Sequence, residues 1–61
     1  MPTLVRNNIK GDDEIRLEHV GDHFDLVMLS EGKELTRQIC AEASHPEMAL
    51  EYYESLNTSL A

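Results

Sequence analysis

The chain has 61 residues, twelve acids against five bases, a net charge of −7 and a pI near 4.6. That length allows one domain, and a domain so short buries only about 60% of the surface its unfolded chain exposes. Direct contact with nucleic acid or an anionic membrane surface is disfavoured, because both are met with clustered Lys and Arg, whereas Arg6, Lys10, Arg16, Lys33 and Arg37 are scattered among acids.

Small domains often recruit disulfides, a metal or a partner chain to reach stability. Cys40 is the single cysteine, which excludes an intrachain disulfide, and no Cys/His set has zinc spacing. Self-association as a homodimer is therefore one expectation. No apolar run approaches the roughly 20 residues that span a bilayer. The start, Met1-Pro-Thr-Leu-Val-Arg6, lacks the basic region and apolar core of a signal peptide. With a lone thiol, these features predict a cytoplasmic location.

Residues 1–13 read as a flexible N-terminal arm carrying at most a short edge strand near Leu4. Asn7-Asn8 and Gly11-Asp12-Asp13 are turn formers that break a longer element. Residues 14–61 read as a single βββα domain. Glu14–Val20 alternates, with Ile15 and Leu17 on one face and Glu14, Arg16 and Glu18 on the other, the period of a half-buried strand. Gly21-Asp22 is a two-residue turn with Gly first, as type II′ prefers. His23–Ser30 is the most apolar run and reads as the central strand. Glu31-Gly32 is the next turn, and Glu34–Glu42 reads as a third strand with Leu35, Arg37, Ile39 and Ala41 on one face.

Register follows from the turns. Gly21-Asp22 pairs Val20 with His23, Leu17 with Leu26 and Ile15 with Met28. Glu31-Gly32 pairs Ser30 with Lys33, Met28 with Leu35 and Phe24 with Ile39. Both place the large apolar residues on one face, and a slip of one residue would reverse a strand. Arg37 is the misfit, falling on the apolar face opposite Leu26.

Ser44-His-Pro-Glu47 has the form of a capping box with Pro in the first turn. The helix it opens carries Ala49, Tyr52, Tyr53, Leu56 and Leu60 at helical spacing, with Glu47, Glu51 and Glu54 outside. Core packing is the expectation for both tyrosines. The predicted fold is α+β, a three-stranded antiparallel β-meander with a C-terminal α-helix packed on one face. The order of three strands then a helix resembles small sheet-based DNA-binding domains of the integrase arm-binding type. Those domains read DNA with a basic sheet face, and here that face carries Glu18 and Asp25.

No constellation carries catalytic chemistry. His19 and His23 project to opposite faces and cannot share a metal ion. Cys40 reads as a small packed side chain, and Ser30 and Ser44 lack triad partners. The expectation is a protein that is not an enzyme and needs no cofactor or metal. It is read as a small acidic binder of another protein with a basic surface. It would act as an inhibitor or accessory factor of phage or mobile-element type, a nucleic-acid mimic occupying its target's nucleic-acid-binding surface. The acids expected to contact the partner are Asp12, Asp13, Glu14, Glu18, Asp22 and Asp25. The alternative is a self-associating structural or regulatory module, with Val20, Val27 and Leu29 as its association face.

Overall fold

The computed structural model describes the backbone of residues 1–60 and the side chains of residues 1–58. Four strands precede the helix: β1 (Thr3–Lys10), β2 (Asp13–Val20), β3 (His23–Ser30) and β4 (Lys33–Glu42), followed by α1 (Pro46–Leu60). The strands form one antiparallel sheet in the order β1-β2-β3-β4. The class is α+β, but the sheet has four strands where the periodicity predicts three.

The added strand is β1. Its sequence, Thr-Leu-Val-Arg-Asn-Asn-Ile-Lys, has no clean alternation, so its strand character comes from pairing with β2 rather than from its own pattern. Pairing runs from Thr3 opposite His19 to Lys10 opposite Asp13. Val5 is left without a partner between Leu4 and Arg6. That bulge lets Val5 pack against the core while Leu4 faces away from the helix.

The β2–β3 hairpin has the predicted register, with Val20 opposite His23, Leu17 opposite Leu26 and Ile15 opposite Met28. Gly21 has φ 62°, the left-handed value that the first residue of this turn requires and that a Cβ would strain. The β3–β4 turn places Glu31 at φ 53° and Gly32 at φ 79°, both positive as in a type I′ turn. The Glu31 N–H donates to Asp12 O at 2.8 Å, tying this turn to the β1–β2 turn beside it.

β4 departs from the predicted register. Leu35 has no partner between Glu34, which opposes Leu29, and Thr36, which opposes Met28. Cys40 likewise has none between Ile39, opposite Asp25, and Ala41, opposite Phe24. The predicted pairs Met28–Leu35 and Phe24–Ile39 are therefore not formed. Between the two bulges the strand is reversed. Thr36 and Gln38 share the face of Met28 and Leu26, Arg37 and Ile39 share the face of Val27, and Leu35 and Ile39 are 65% and 67% exposed. The second bulge returns Ala41 to the core side, and Cys40 packs against the core rather than facing away from it. The physical reason is the charge of Arg37. In the predicted register its guanidinium would lie against Leu26 without acids to meet it, an expensive burial. One skipped residue moves it to the face that carries Glu18 and Asp25.

The core is Ile15, Leu17, Phe24 and Leu26 from the sheet, with Ala49 and Tyr53 from the helix. Each large side chain buried here contributes about 1.5–3 kcal/mol. Leu50 and Leu56 flank it from α1. Tyr53 is 7% exposed, whereas Tyr52 is 54% exposed and outside the core, so one tyrosine packs and the other does not. Pro46 is the first helical residue, where its missing N–H costs nothing. The cap position thus falls on His45 rather than Ser44, and His45 Nδ1 lies 3.1 Å from Glu47 Oε1. At the far end, Asn8 Nδ2 donates to Asn57 Oδ1 at 3.1 Å, fastening α1 to β1. The side chain of Leu60 lies outside the described residues.

Candidate functional site

The sheet face opposite α1 carries a connected set of charges. Arg37 is its hub. Its Nη1 lies 2.9 Å from Glu18 Oε1 and 2.8 Å from Asp25 Oδ2, and its Nη2 lies 3.0 Å from Glu34 Oε1. Glu18 and Asp25 are only 7% and 5% exposed, so the guanidinium meets two carboxylates withdrawn from water. Hydrogen bonds to Glu34, then Asp25, then Glu18 raise the Arg37 pKa further above its ordinary value, and the side chain stays charged.

Each buried acid also has a second neighbour. Glu18 Oε2 lies 3.8 Å from Arg16 Nη1, and Arg16 Nε lies 3.1 Å from Glu14 Oε2. Asp25 Oδ1 lies 3.0 Å from His23 Nε2, whose Nδ1 lies 3.3 Å from Asp22 Oδ1. Register builds this arrangement. Glu18 opposes Asp25 directly, a like-charge pair that would repel without a cation between them. Arg37 supplies that cation from the next strand. Val27 lies between Arg16 and Arg37, directly opposite both, and is 1% exposed although it belongs to the face that α1 does not cover. The arginine stems flank it as apolar cover.

The residues expected to contact a partner thus separate into two groups. Glu14, Glu18 and Asp25 belong to the network, bound to arginines. Asp12, Asp13 and Asp22 lie exposed at the turns. Of the residues expected on an association face, Val20 and Leu29 are half-buried and Val27 is buried. Reading the sequence missed Glu34 and the role of Arg37. The available signal was Arg37 itself, a charge at an apolar position of an otherwise consistent register.

The network absorbs Arg16 and Arg37 with Glu14, Glu18, Asp25 and Glu34. Outside it stand Arg6, Lys10 and Lys33 against Asp12, Asp13, Asp22, Glu31, Glu42, Glu47, Glu51 and Glu54, all of them exposed. The solvent-facing charge is acidic at both ends of the sheet and along α1. The Glu47 carboxyl is held below its usual range by its own backbone N–H and by His45.

His19 stacks at a tilt on Phe24, ring centroids 5.1 Å apart, on the face opposite His23. Among the described residues no group of three or more His, Cys, Asp or Glu is placed to hold a metal ion. Cys40 Sγ donates to Phe24 O at 3.5 Å, and burial raises its thiol pKa. A shallow open depression of about 580 Å³ lies between the β2–β3 turn and the start of α1, lined by Asp22, His23, Ile39, Glu42, Ala43 and Ser44. No described helix is long and apolar enough to cross a membrane. Comparison with protein-family models, curated proteins and solved structures finds no match to this chain.

Proposed function

We propose that this chain acts by binding another protein that presents a basic, nucleic-acid-binding surface, as an inhibitor or accessory factor of phage or mobile-element type. The observation that supports this reading is the division of charge. Two of the sheet's three arginines, Arg16 and Arg37, are consumed by four acids, leaving eight exposed acids against three cations. A surface of one dominant sign steers and orients a partner of the opposite sign. The network supports the same reading indirectly, since it fixes the sheet's own charges in place. The acids that would meet the partner are Asp12, Asp13 and Asp22 at the turns and the glutamates of α1.

The test begins with capture of partners from the native host by cross-linking and mass spectrometry. Each captured protein is then assayed for displacement of a labelled oligonucleotide by the pure chain. Stoichiometric displacement supports the reading. A captured partner with no basic surface and no nucleic-acid binding contradicts it.

A second reading, a self-associating module, draws on the exposed side chains Leu4, Ile9, Leu35 and Ile39. Sedimentation equilibrium separates the two, because a stable dimer that buries these residues would favour the module.

A further inference from the structure

The outer face of α1 combines two features that the fold does not use. Over Pro46–Leu60 the helix carries Glu47, Glu51 and Glu54 and neither Lys nor Arg. Solvated helix faces gain stability from alternating signs at i, i+4, and helix C-termini from nearby bases. This helix has neither: its last turn holds no base, and Glu51 and Glu54 have no Lys or Arg one turn away on α1. Glu47 alone serves the helix, at its first turn. The second feature is apolar. Met48 and Tyr52, one turn apart, are 44% and 54% exposed, and with Glu51 and Ser55 they line a shallow groove of about 220 Å³.

We infer that this strip is the docking surface for a protein partner that presents Lys and Arg side chains around an apolar slot. The inference rests on the proposed binding function and names where it occurs. Met and Tyr are enriched at interface centres, and a polar rim surrounds them. Here the centre is Met48 and Tyr52, and the rim is glutamate. Charge decides the occupant. A second copy of the chain would bring two sets of glutamates together, which repel. Nucleic acid and anionic lipid carry the same sign as the rim. Addition of a strand at β1 or β4 is hindered by bulges at Val5, Leu35 and Cys40, which break the edge ladders.

The probe is an amphipathic helical peptide of Lys and Leu, titrated into the isotope-labelled full chain and followed by amide chemical shifts. The largest changes are expected at Met48, Glu51, Tyr52 and Ser55. Joint Met48→Ala and Tyr52→Ala, and separately Glu51→Lys with Glu54→Lys, should each weaken binding about tenfold or more. Control substitutions Glu31→Lys and Glu42→Lys, at exposed acids away from this strip, make the same change of charge and should weaken it by only about twofold. Circular dichroism confirms that every variant is folded. Shifts confined to the turns or the open sheet face, with the helix variants binding normally, would overturn the docking surface while leaving the proposed function standing. Absence of any binding at low salt would overturn both. Concentration-dependent shifts at Tyr52 without peptide, together with a dimer mass, would assign the strip to a second copy and overturn the inference.

Discussion

Arg37 on β4 reaches across the whole of β3 to Glu18 on β2, Nη1 to Oε1 2.9 Å, and meets Asp25 on the way. The contact exists because Leu35 has no partner on β3. Without that skipped residue Arg37 would face α1, and Glu18 and Asp25 would oppose each other with no cation between them. Replacing Arg37 with Met leaves two buried carboxylates short of a partner. Complete burial of such a pair would suggest 3–5 kcal/mol. The Arg37 side chain is 35% exposed, so screening reduces this to about 2–3 kcal/mol. Urea denaturation should show that loss, with Arg37→Lys intermediate because it keeps the charge but not the planar fork.

Val27 and Leu29 should respond differently to the same substitution. Val27→Ser places a hydroxyl beneath the arginine stems and removes buried methyl groups, at a cost of about 2 kcal/mol in thermal or chemical unfolding. Leu29→Ser, at a half-buried position near the strand end, should cost about 1 kcal/mol or less. Equal losses at both positions would mean that Val27 is not covered as described. Leu26→Asp, in the core, should abolish folding.

These two strands show how far the sequence is legible. The β2–β3 pairing could be worked out because Gly21-Asp22 admits one turn length, and every residue of that hairpin then has a fixed partner. β4 starts from an equally short turn, yet one skipped residue at Leu35 reverses the next four positions. A strict period of two cannot represent that skip. Arg37 recorded it as a charge on the wrong face. β1 was legible only in part, because Asn7 and Asn8 favour turns locally and become strand through pairing with Arg16 and Ile15. Helical spacing alone places Ala49, Tyr53 and Leu56 on the side of α1 that packs on the core. Tyr52, about 100° from Tyr53 around the axis, fell just outside the buried arc.

Glu31 is the one residue other than glycine with a positive φ among the described residues. A side chain with a Cβ pays roughly 1 kcal/mol for that conformation, and Asn pays less. Glu31→Asn creates Asn-Gly, the preferred type I′ pair, and should stabilise the protein by about 0.5–1 kcal/mol. A raised midpoint in thermal unfolding checks this. A fall would show that the Glu31 side chain makes a compensating contact.

Cys40 gives a pH dependence of definite sign. Burial raises its thiol pKa in the folded chain, so the neutral thiol favours folding. That contribution is fully present below the unfolded value of about 8.5 and is lost as pH rises through the folded value. Alkylation with iodoacetamide near pH 8 should be slower in the folded chain than after unfolding. Cys40→Ala should flatten the alkaline limb of the stability curve, and an unchanged limb would assign it to another group.

The measurement that bears most directly on the proposed function is the affinity of the chain for its captured partner as a function of salt. Calorimetric titration at about 50 mM and about 500 mM salt compares the interaction with and without long-range electrostatics. An acidic surface bound to a basic one predicts affinity lower on the order of tenfold or more at the higher salt. Equal affinity at both concentrations would contradict it.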